Sequence, residues 1–577
     1  MRDPGHLGEG PQRWWGRVFM RGSRFRGFTQ AGYLLALSVV LLLPCGTYGL
    51  SSDPYQLGVQ AFAQGKVTEA LKLFQQAKQL HPQDARVANA LGNTWLTLNE
   101  PTKAREEYLR AIQLDPRLMA PRKNLGILEY QQGQFPAAQR QLAEVTRAMP
   151  ADAVAWRFLG LSLEAGKRPK DALVPLQRAL ELEPGNGSTR LDLARVEAQC
   201  GLKEAALADY RQLVGNPALQ ADSQKAVGLA LAAMEDSADA IAQFQFILAR
   251  DTACEEIRWA LAQEYMKAQQ PDPAIATLQA GLDTARDKAG FYNFLGWIYQ
   301  QTNRSNEAGE AYRQAILADP KRPEPYIQLS WLYAEFHHFD DAIQTLREGL
   351  RFVADPSSLK LQLGTILVWG GHEQEAVPVL QEVIAAQPHN PAGYTTLIIN
   401  YTLLDPSYDR PLQVAEQALK ECPDNYLTHY LYAGLLFRKY RQDIGQPGSA
   451  AIVDRIKSEL LASTRLNSDF PHSFYDLARV EFETGNYPAA ERDAQAALHA
   501  DQNFSEARYL LGRIHKKEGR TKEGEAEMAQ VEQQHIEEIK QVEAVGQALL
   551  AEQAGAAGSH VPVLTSAPEA EPGKTVR

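Results

Sequence analysis

Four tryptophans, Trp259, Trp297, Trp331 and Trp369, stand 38, 34 and 38 residues apart. In a chain that repeats every 34 residues, steps of 34 with additions of four keep them on one face of equivalent helices, because residues four apart share a helical face. Tryptophan is costly to leave exposed and is enriched at binding hot spots. Four rings on one face suggest an aromatic groove, with Glu256, Glu324 and Glu335 at its edge. Tight curvature that packs the rings on one another would use the same residues with no ligand. A second set is polar: Arg86, Asn89, Asn93, Lys123, Asn124, Arg157, Arg195 and Lys225. A row of amides and cations suits the carbonyls and acidic groups of an extended peptide. It equally suits a solvated face, since most surface charges carry no function.

His337, His338 and His372, with Asp340 or Glu373 nearby, are the residues that could ligate a metal. They lack the close spacing of a one-helix motif such as HExxH and fit polar turns instead. The sequence holds no Walker loop, no dinucleotide-binding glycine fingerprint and no nucleophile elbow. No catalytic residue, metal or cofactor is therefore expected, and the chain does not read as an enzyme.

The elements that must position these residues show in a strict beat. Alanine recurs every 34 residues, at Ala70, Ala104, Ala138, Ala172, Ala206, Ala240, Ala274, Ala308, Ala342 and Ala376. Twelve residues before each stands a small residue: Gly58, Gly92, Gly126, Gly160, Ala194, Gly228, Ala262, Gly296, Ser330 and Gly364. Pro82, Pro116, Pro150, Pro184, Pro320 and Pro388 mark where a second helix must stop, since proline cannot continue one. Residues 289–322 show the unit best: Leu295-Gly296, Tyr299, Ala308, Tyr312, Ala315 and Pro320, two amphipathic helices split by the polar turn Thr302-Asn303-Arg304-Ser305.

This pattern resembles the tetratricopeptide repeat family, whose signature has this length and these positions. The resemblance implies an all-α, right-handed superhelical solenoid of about fourteen helix–turn–helix units. It also implies that positions two, five, nine and thirteen of each first helix line a concave face, while four, seven, eight and eleven pack. Trp95 and Trp156 then fall in packing positions. Trp259 is at position five, Trp297 and Trp331 at nine, and Trp369 at thirteen. The carboxylate clamp of chaperone-binding members is matched only at its two amides, Asn93 and Asn124. Asn89, Val154 and Phe158 hold its basic positions. The asparagine ladder of the O-GlcNAc transferase arm is absent, its position holding Gln56, Ala90, Asn124, Phe158 and Asp192.

Units begin at 51, 85, 119, 153, 187, 221, 255, 289, 323, 357 and 391, and again at 471 and 505. Ten in-phase repeats thus cover 51–390. Residues 391–470 hold irregular repeats, with the extra length expected in loops at Asp405–Arg410 and Gln442–Ala450, where Asp-Pro-Ser and Gly-Gln-Pro-Gly-Ser read as turns. A final pair covers 471–538, and a capping helix is expected at 539–554, the end of a stripe that runs from Met528 to Leu549. A coiled-coil contact is the other use of that stripe. Residues 555–577, rich in Gly, Ala, Pro and Ser, read as a disordered tail.

The formal net charge is −11, which argues against nucleic acid as a partner. Cys45, Cys200, Cys254 and Cys422 show no CxxC spacing and no disulfide framework. Residues 1–49 read as a signal peptide or N-terminal anchor. Arg17, Arg21, Arg24 and Arg26 precede the apolar run 33–43, and Pro44 and the small-x-small Thr47-Tyr48-Gly49 follow it. The run is short for a membrane span and right for a signal core. Met20 begins a more ordinary signal than Met1, and Cys45 beside Pro44 departs from a lipobox. The expected function is a protein–protein interaction scaffold, periplasmic or extracellular, that captures a protein or extended peptide on its concave face. Membrane contact is expected only through the N-terminal segment, by residues 33–43. The alternative is a glycan-handling protein that assists polysaccharide assembly or export.

Overall fold

The computed structural model describes residues 53–442 and 449–537. The expected signal, capping helix and tail lie outside them. Among the described residues there is no strand, and no helix is long and apolar enough to cross a membrane. Among the described residues the helices pair in sequence into fourteen hairpins. They fall into two compact units that divide between Thr277 and Leu278, inside the helix Pro271–Gln279.

First helices begin at Ala85, Met119, Ala153, Gly187, Ala221, Glu255, Pro323, Ser357 and Pro391 in step with the alanine beat, and at Pro471 and Ser505 in a new phase after the irregular repeats. Side chains just before the start fix several of them. Asp84, Asp152, Asn186 and Asn390 each accept a hydrogen bond from a backbone N–H of the first turn, which satisfies donors that the helix leaves unpaired. Second helices end at Leu80, Leu114, Ala148, Leu182, Ala318 and Ala386, and the prolines follow two residues on.

The small residues are required by close packing within each hairpin. A Cβ placed on Gly58, Gly92, Gly160, Gly228, Gly296 or Gly364 would stand 2.4–2.7 Å from the side chain of Phe74, Tyr108, Leu176, Phe244, Tyr312 or Leu380. Each of those partners lies sixteen residues on, in the second helix. All ten alanines of the beat are fully buried. The core is accordingly not one nucleus. It is a series of clusters, such as Phe74, Val87 and Leu91, then Leu142, Leu159 and Leu176 in the first unit, and Tyr326, Leu346, Leu363 and Leu380 in the second. Stability spread over neighbours in this way is what a repeat array needs, because one hairpin buries too little apolar surface alone.

Each regular turn bends at one left-handed residue, the fifteenth of its unit. Gly65, Asn99, Gly133, Lys167, Gly201, Glu235, Gln269, Asn303, His337 and Gly371 all have φ between 57° and 79°. The sequence marked these turns as polar and did not show this beat, because only half of the positions are glycine or lie next to one. His337 is thus the bend of a turn, its ring 5.7 Å from Phe339.

The irregular region corrects one expectation. The extra length of repeats 391–470 is not confined to loops, for Tyr426–Gln442 has 17 residues and Ser449–Leu466 has 18, against 13 and 14 in a regular pair such as Ala85–Thr97 and Pro101–Leu114. The Asp405–Arg410 segment is a built turn. Its bend falls at Tyr408, with φ of 62°. The buried Asp405 carboxylate accepts from Ser407 Oγ at 2.7 Å and from the Arg410 N–H at 2.9 Å. Those hydrogen bonds, the Arg410 N–H first, hold the Asp405 carboxyl below the usual carboxylate range.

Candidate functional site

In the second unit the first helices Lys288–Gln301, Pro323–Glu335, Ser357–Trp369 and Pro391–Leu404 carry three of the four tryptophans. Trp297 is half-buried and stacks on Phe294 of its own helix, with centroids 5.7 Å apart and planes at 29°. Trp331 packs against the core cluster of Leu346, Leu363 and Leu367. Its ring meets Trp369 of the next repeat edge-on, at 5.0 Å and 62°, the arrangement that sets one ring's positive edge against another's negative face. Trp369 remains 41% exposed. Trp259 is half-buried in the helix Glu255–Lys267 of the first unit. Among the tryptophans of the second unit, Trp331 and Trp369 are in ring contact.

Two residues of this surface escaped the sequence reading. Ile399 and Leu403, at positions nine and thirteen of the repeat that begins at 391, are 37% and 61% exposed. They continue the positions of Trp331 and Trp369 into the next repeat, and that register was the signal available in the sequence. Gln300 ties the acidic edge to the core. Its Nε2 donates to Glu335 Oε2 at 3.2 Å, and its Oε1 accepts from the buried Tyr312 hydroxyl at 2.9 Å. Burial pushes the Tyr312 phenol well above its ordinary range, so it stays a donor.

The polar row of the first unit is closed upon itself. Asn124 is buried, and its Nδ2 donates to Asn93 Oδ1 at 2.9 Å and to Asn89 Oδ1 at 3.2 Å. Tyr108 donates to the same Asn93 oxygen at 2.8 Å. Lys123 pairs with Asp152 at 2.7 Å, Arg157 with Asp192 at 2.7 Å, and Arg86 with Asp84 at 2.6 Å. Arg195 pairs with Asp192 at 3.2 Å and also with Glu164, and Lys225 lies 3.6 Å from Glu256. Four of these five cations find a carboxylate outside their own helix, on a neighbouring repeat or the turn that leads into it. The sequence showed the cations as one row and gave no sign of these partners.

The histidines do not converge. His372 lies 3.8 Å from Asp340 and 3.5 Å from Glu375, and His338 lies 3.9 Å from Asp341. Among the described residues, no three His, Cys, Asp or Glu side chains are grouped so as to hold a metal ion.

One buried carboxyl carries a pH prediction. Glu197 occupies packing position eleven, is 5% exposed, and its Oε2 has no hydrogen-bond partner among the described residues. Burial, and secondarily the Asp209 charge, push its carboxyl up to about 7. The folded chain thus holds a proton that the unfolded chain releases from the ordinary carboxylate range upward. Its contribution to stability is full at acid pH and is lost as pH rises through about 7. Glu197→Gln is expected to stabilise by about 1 kcal/mol at pH 8 and by nothing at pH 4. Urea unfolding at both pH values checks it, and an equal effect at both would remove Glu197 as the cause.

Models of the tetratricopeptide repeat match residues 55–118, 123–187 and 475–535, then 231–298 and 289–322. Among curated proteins the chain is similar to the type IV pilus assembly protein PilF of Pseudomonas aeruginosa. The two are 28% identical over 145 residues, 25% of this chain and 58% of that protein. It is also similar to the antiviral innate immune response effector IFIT1 of Homo sapiens, 24% identical over 228 residues, 35% of this chain and 46% of that protein. The chain spans about half the length of these curated relatives. Among solved structures, yeast Tom70 aligns over 81% of this chain and 96% of its own at 13% identity, with a TM-score of 0.39. The Pseudomonas aeruginosa PilF structure aligns over 37% and 95% at 23% identity, with a TM-score of 0.32. Tetratricopeptide repeats indicate a protein–protein interaction scaffold that binds protein or peptide partners, a fold that is typically non-enzymatic. With the repeat models matched in both units and the hairpins, glycine contacts and buried alanines in phase, the chain belongs to the tetratricopeptide repeat family.

Proposed function

We propose that the protein is an exported scaffold that captures a protein partner, or an extended segment of one, on the first helices of its repeats. The Trp331–Trp369 pair carries this reading. One ring is anchored in the core and the other is held 41% exposed beside it, at a place where the beat gives every other repeat a different residue. A ring fixed in this way loses little freedom when a partner covers it, so more of the contact energy appears as affinity. The basic stretch Arg17–Arg26, the apolar run 33–43 and Thr47-Tyr48-Gly49 support work outside the cytoplasm. Similarity to a pilus assembly protein supports a role in building protein complexes. Glycan handling is the second reading, because sugar rings also stack on tryptophan. The exposed Ile399 and Leu403 favour protein, since aliphatic groups offer nothing to a hydroxyl.

The test compares proteins that co-purify with the wild type and with a Trp331→Leu, Trp369→Ala variant, quantified by mass spectrometry. Partner recovery is expected to fall roughly tenfold while far-UV circular dichroism stays unchanged. An unchanged partner set would sink the scaffold face. Sequencing the N-terminus of the mature protein tests export. A start just after Gly49 supports it, and a cytosolic protein that retains residues 33–43 overturns it.

A further inference from the structure

We infer that the face built from Trp331, Trp369, Ile399 and Leu403, with Glu335 beside it, takes a protein segment whose apolar anchors are flanked by lysine or arginine. The inference rests on the scaffold reading and goes further, to the chemistry of the partner.

Three observations lead to it. The first is continuity. Trp331 and Trp369 touch at 5.0 Å across adjacent repeats, and Ile399 and Leu403 extend their two positions into the next. Exposed apolar side chains scattered singly are ordinary, whereas a contiguous row with a core-anchored ring marks a surface meant to be covered. The second is charge. At positions two, five, six, nine, twelve and thirteen of the repeats that begin at 289, 323, 357 and 391 there is no Lys or Arg, and Glu324 and Glu335 are the charged residues. In the first unit the row at these positions carries six cations, Lys267 among them, each set against a carboxylate. Here the order is reversed. Glu335 is exposed, accepts a hydrogen bond from Gln300, and forms no ion pair with any described residue. The third is direction. Position thirteen reads Gln301, Glu335, Trp369 and Leu403 in successive repeats, so carboxylate, aromatic ring and aliphatic group follow one another along the row.

A cation is suited to this place twice, by Glu335 and by the neighbouring tryptophan faces, which attract guanidinium and ammonium groups. An acidic segment is repelled by the same carboxylate. A sugar finds one exposed ring and then methyl groups. A second copy of this chain would have to bring cations from a surface with an overall charge of −11.

The probe is a displayed library of random peptides of about twelve residues, which extended would span roughly 40 Å. It is panned on the full chain with counter-selection on a Trp369→Ala, Leu403→Ser variant. Both of those residues are exposed, so the variant should fold, and thermal circular dichroism checks that. Enriched peptides are expected to combine Leu, Ile, Phe or Trp with an excess of Lys and Arg over Asp and Glu. They should bind the counter-selection variant roughly tenfold more weakly. Glu335→Lys should remove or reverse the charge preference while the apolar preference stays. If peptides are enriched without a cationic excess, or Glu335→Lys changes nothing, the inference falls and the scaffold reading stands. If no peptide is enriched and an oligosaccharide quenches tryptophan fluorescence, both fall. Sedimentation that shows self-association abolished by Leu403→Ser would assign the face to a second copy and also overturn the inference.

Discussion

Replacing Gly296 by valine is expected to unfold its repeat and its immediate neighbours. Its ideal Cβ would lie 2.5 Å from the Tyr312 ring, closer than real carbon atoms approach. Tyr312 cannot easily yield. It is fully buried, and its hydroxyl is committed to Gln300 at 2.9 Å. The helices Lys288–Gln301 and Ser305–Ala318 must therefore separate, at about 3 kcal/mol or more for an overpacked site that cannot relax. In a repeat array this loss stays local. Hydrogen exchange should show lost protection in those two helices and in Pro323–Glu335, with Ala85–Thr97 unchanged. Gly434→Ala is the control, since nothing lies within 4 Å of its Cβ position. Enlarging Gly296 while trimming Tyr312 to leucine should recover part of the loss. A small and uniform change across the array would mean that the close approach is not what the glycine provides.

The second large effect is expected at Asp192. Its carboxylate accepts from Arg157 Nε at 2.7 Å and from Arg195 at 3.2 Å, joining the repeats that begin at 153 and 187. Both partners of the Arg157 pair are largely buried. Asp192→Ala strands a guanidinium group out of water, and such a loss typically costs about 3 kcal/mol. The apolar double replacement Arg157→Met, Asp192→Leu should be close to neutral, because it removes both desolvation costs together. Denaturant unfolding separates the two outcomes. If Asp192→Ala costs less than about 0.5 kcal/mol, the pair behaves as a solvated surface contact, and the polar row of the first unit regains its claim to be open to a ligand.

These two sites show how differently the fold and the candidate site could be read from the chain alone. Gly296 and Ala308 were legible because a steric demand recurs with the repeat. Only a small residue fits against the large side chain sixteen positions on, so composition at those positions is forced in unit after unit. Arg157 was legible as a polar residue of a first helix and not as a paired one. Asp192 lies 35 residues away, and nothing periodic obliges it to be acidic. The lengthened helices Tyr426–Gln442 and Ser449–Leu466 were hidden for a related reason. Gly-Gln-Pro-Gly-Ser marks a break in helix but does not say how far the flanking helices run.

By itself, then, the sequence determined the repeat, its phase and the hairpins, because backbone approach and helix periodicity act over distances the chain spells out locally. The tertiary structure alone decided which of those first-helix residues remain available. Lys123, Arg157 and Arg195 are consumed by Asp152, Asp192 and Glu164 of adjoining repeats. Trp331 is drawn into the core while Trp369, Ile399 and Leu403 stay open beside Glu335. Availability is a property of side chains meeting across repeats, through their reach and the polarity of what they meet, and a position within one repeat does not encode it.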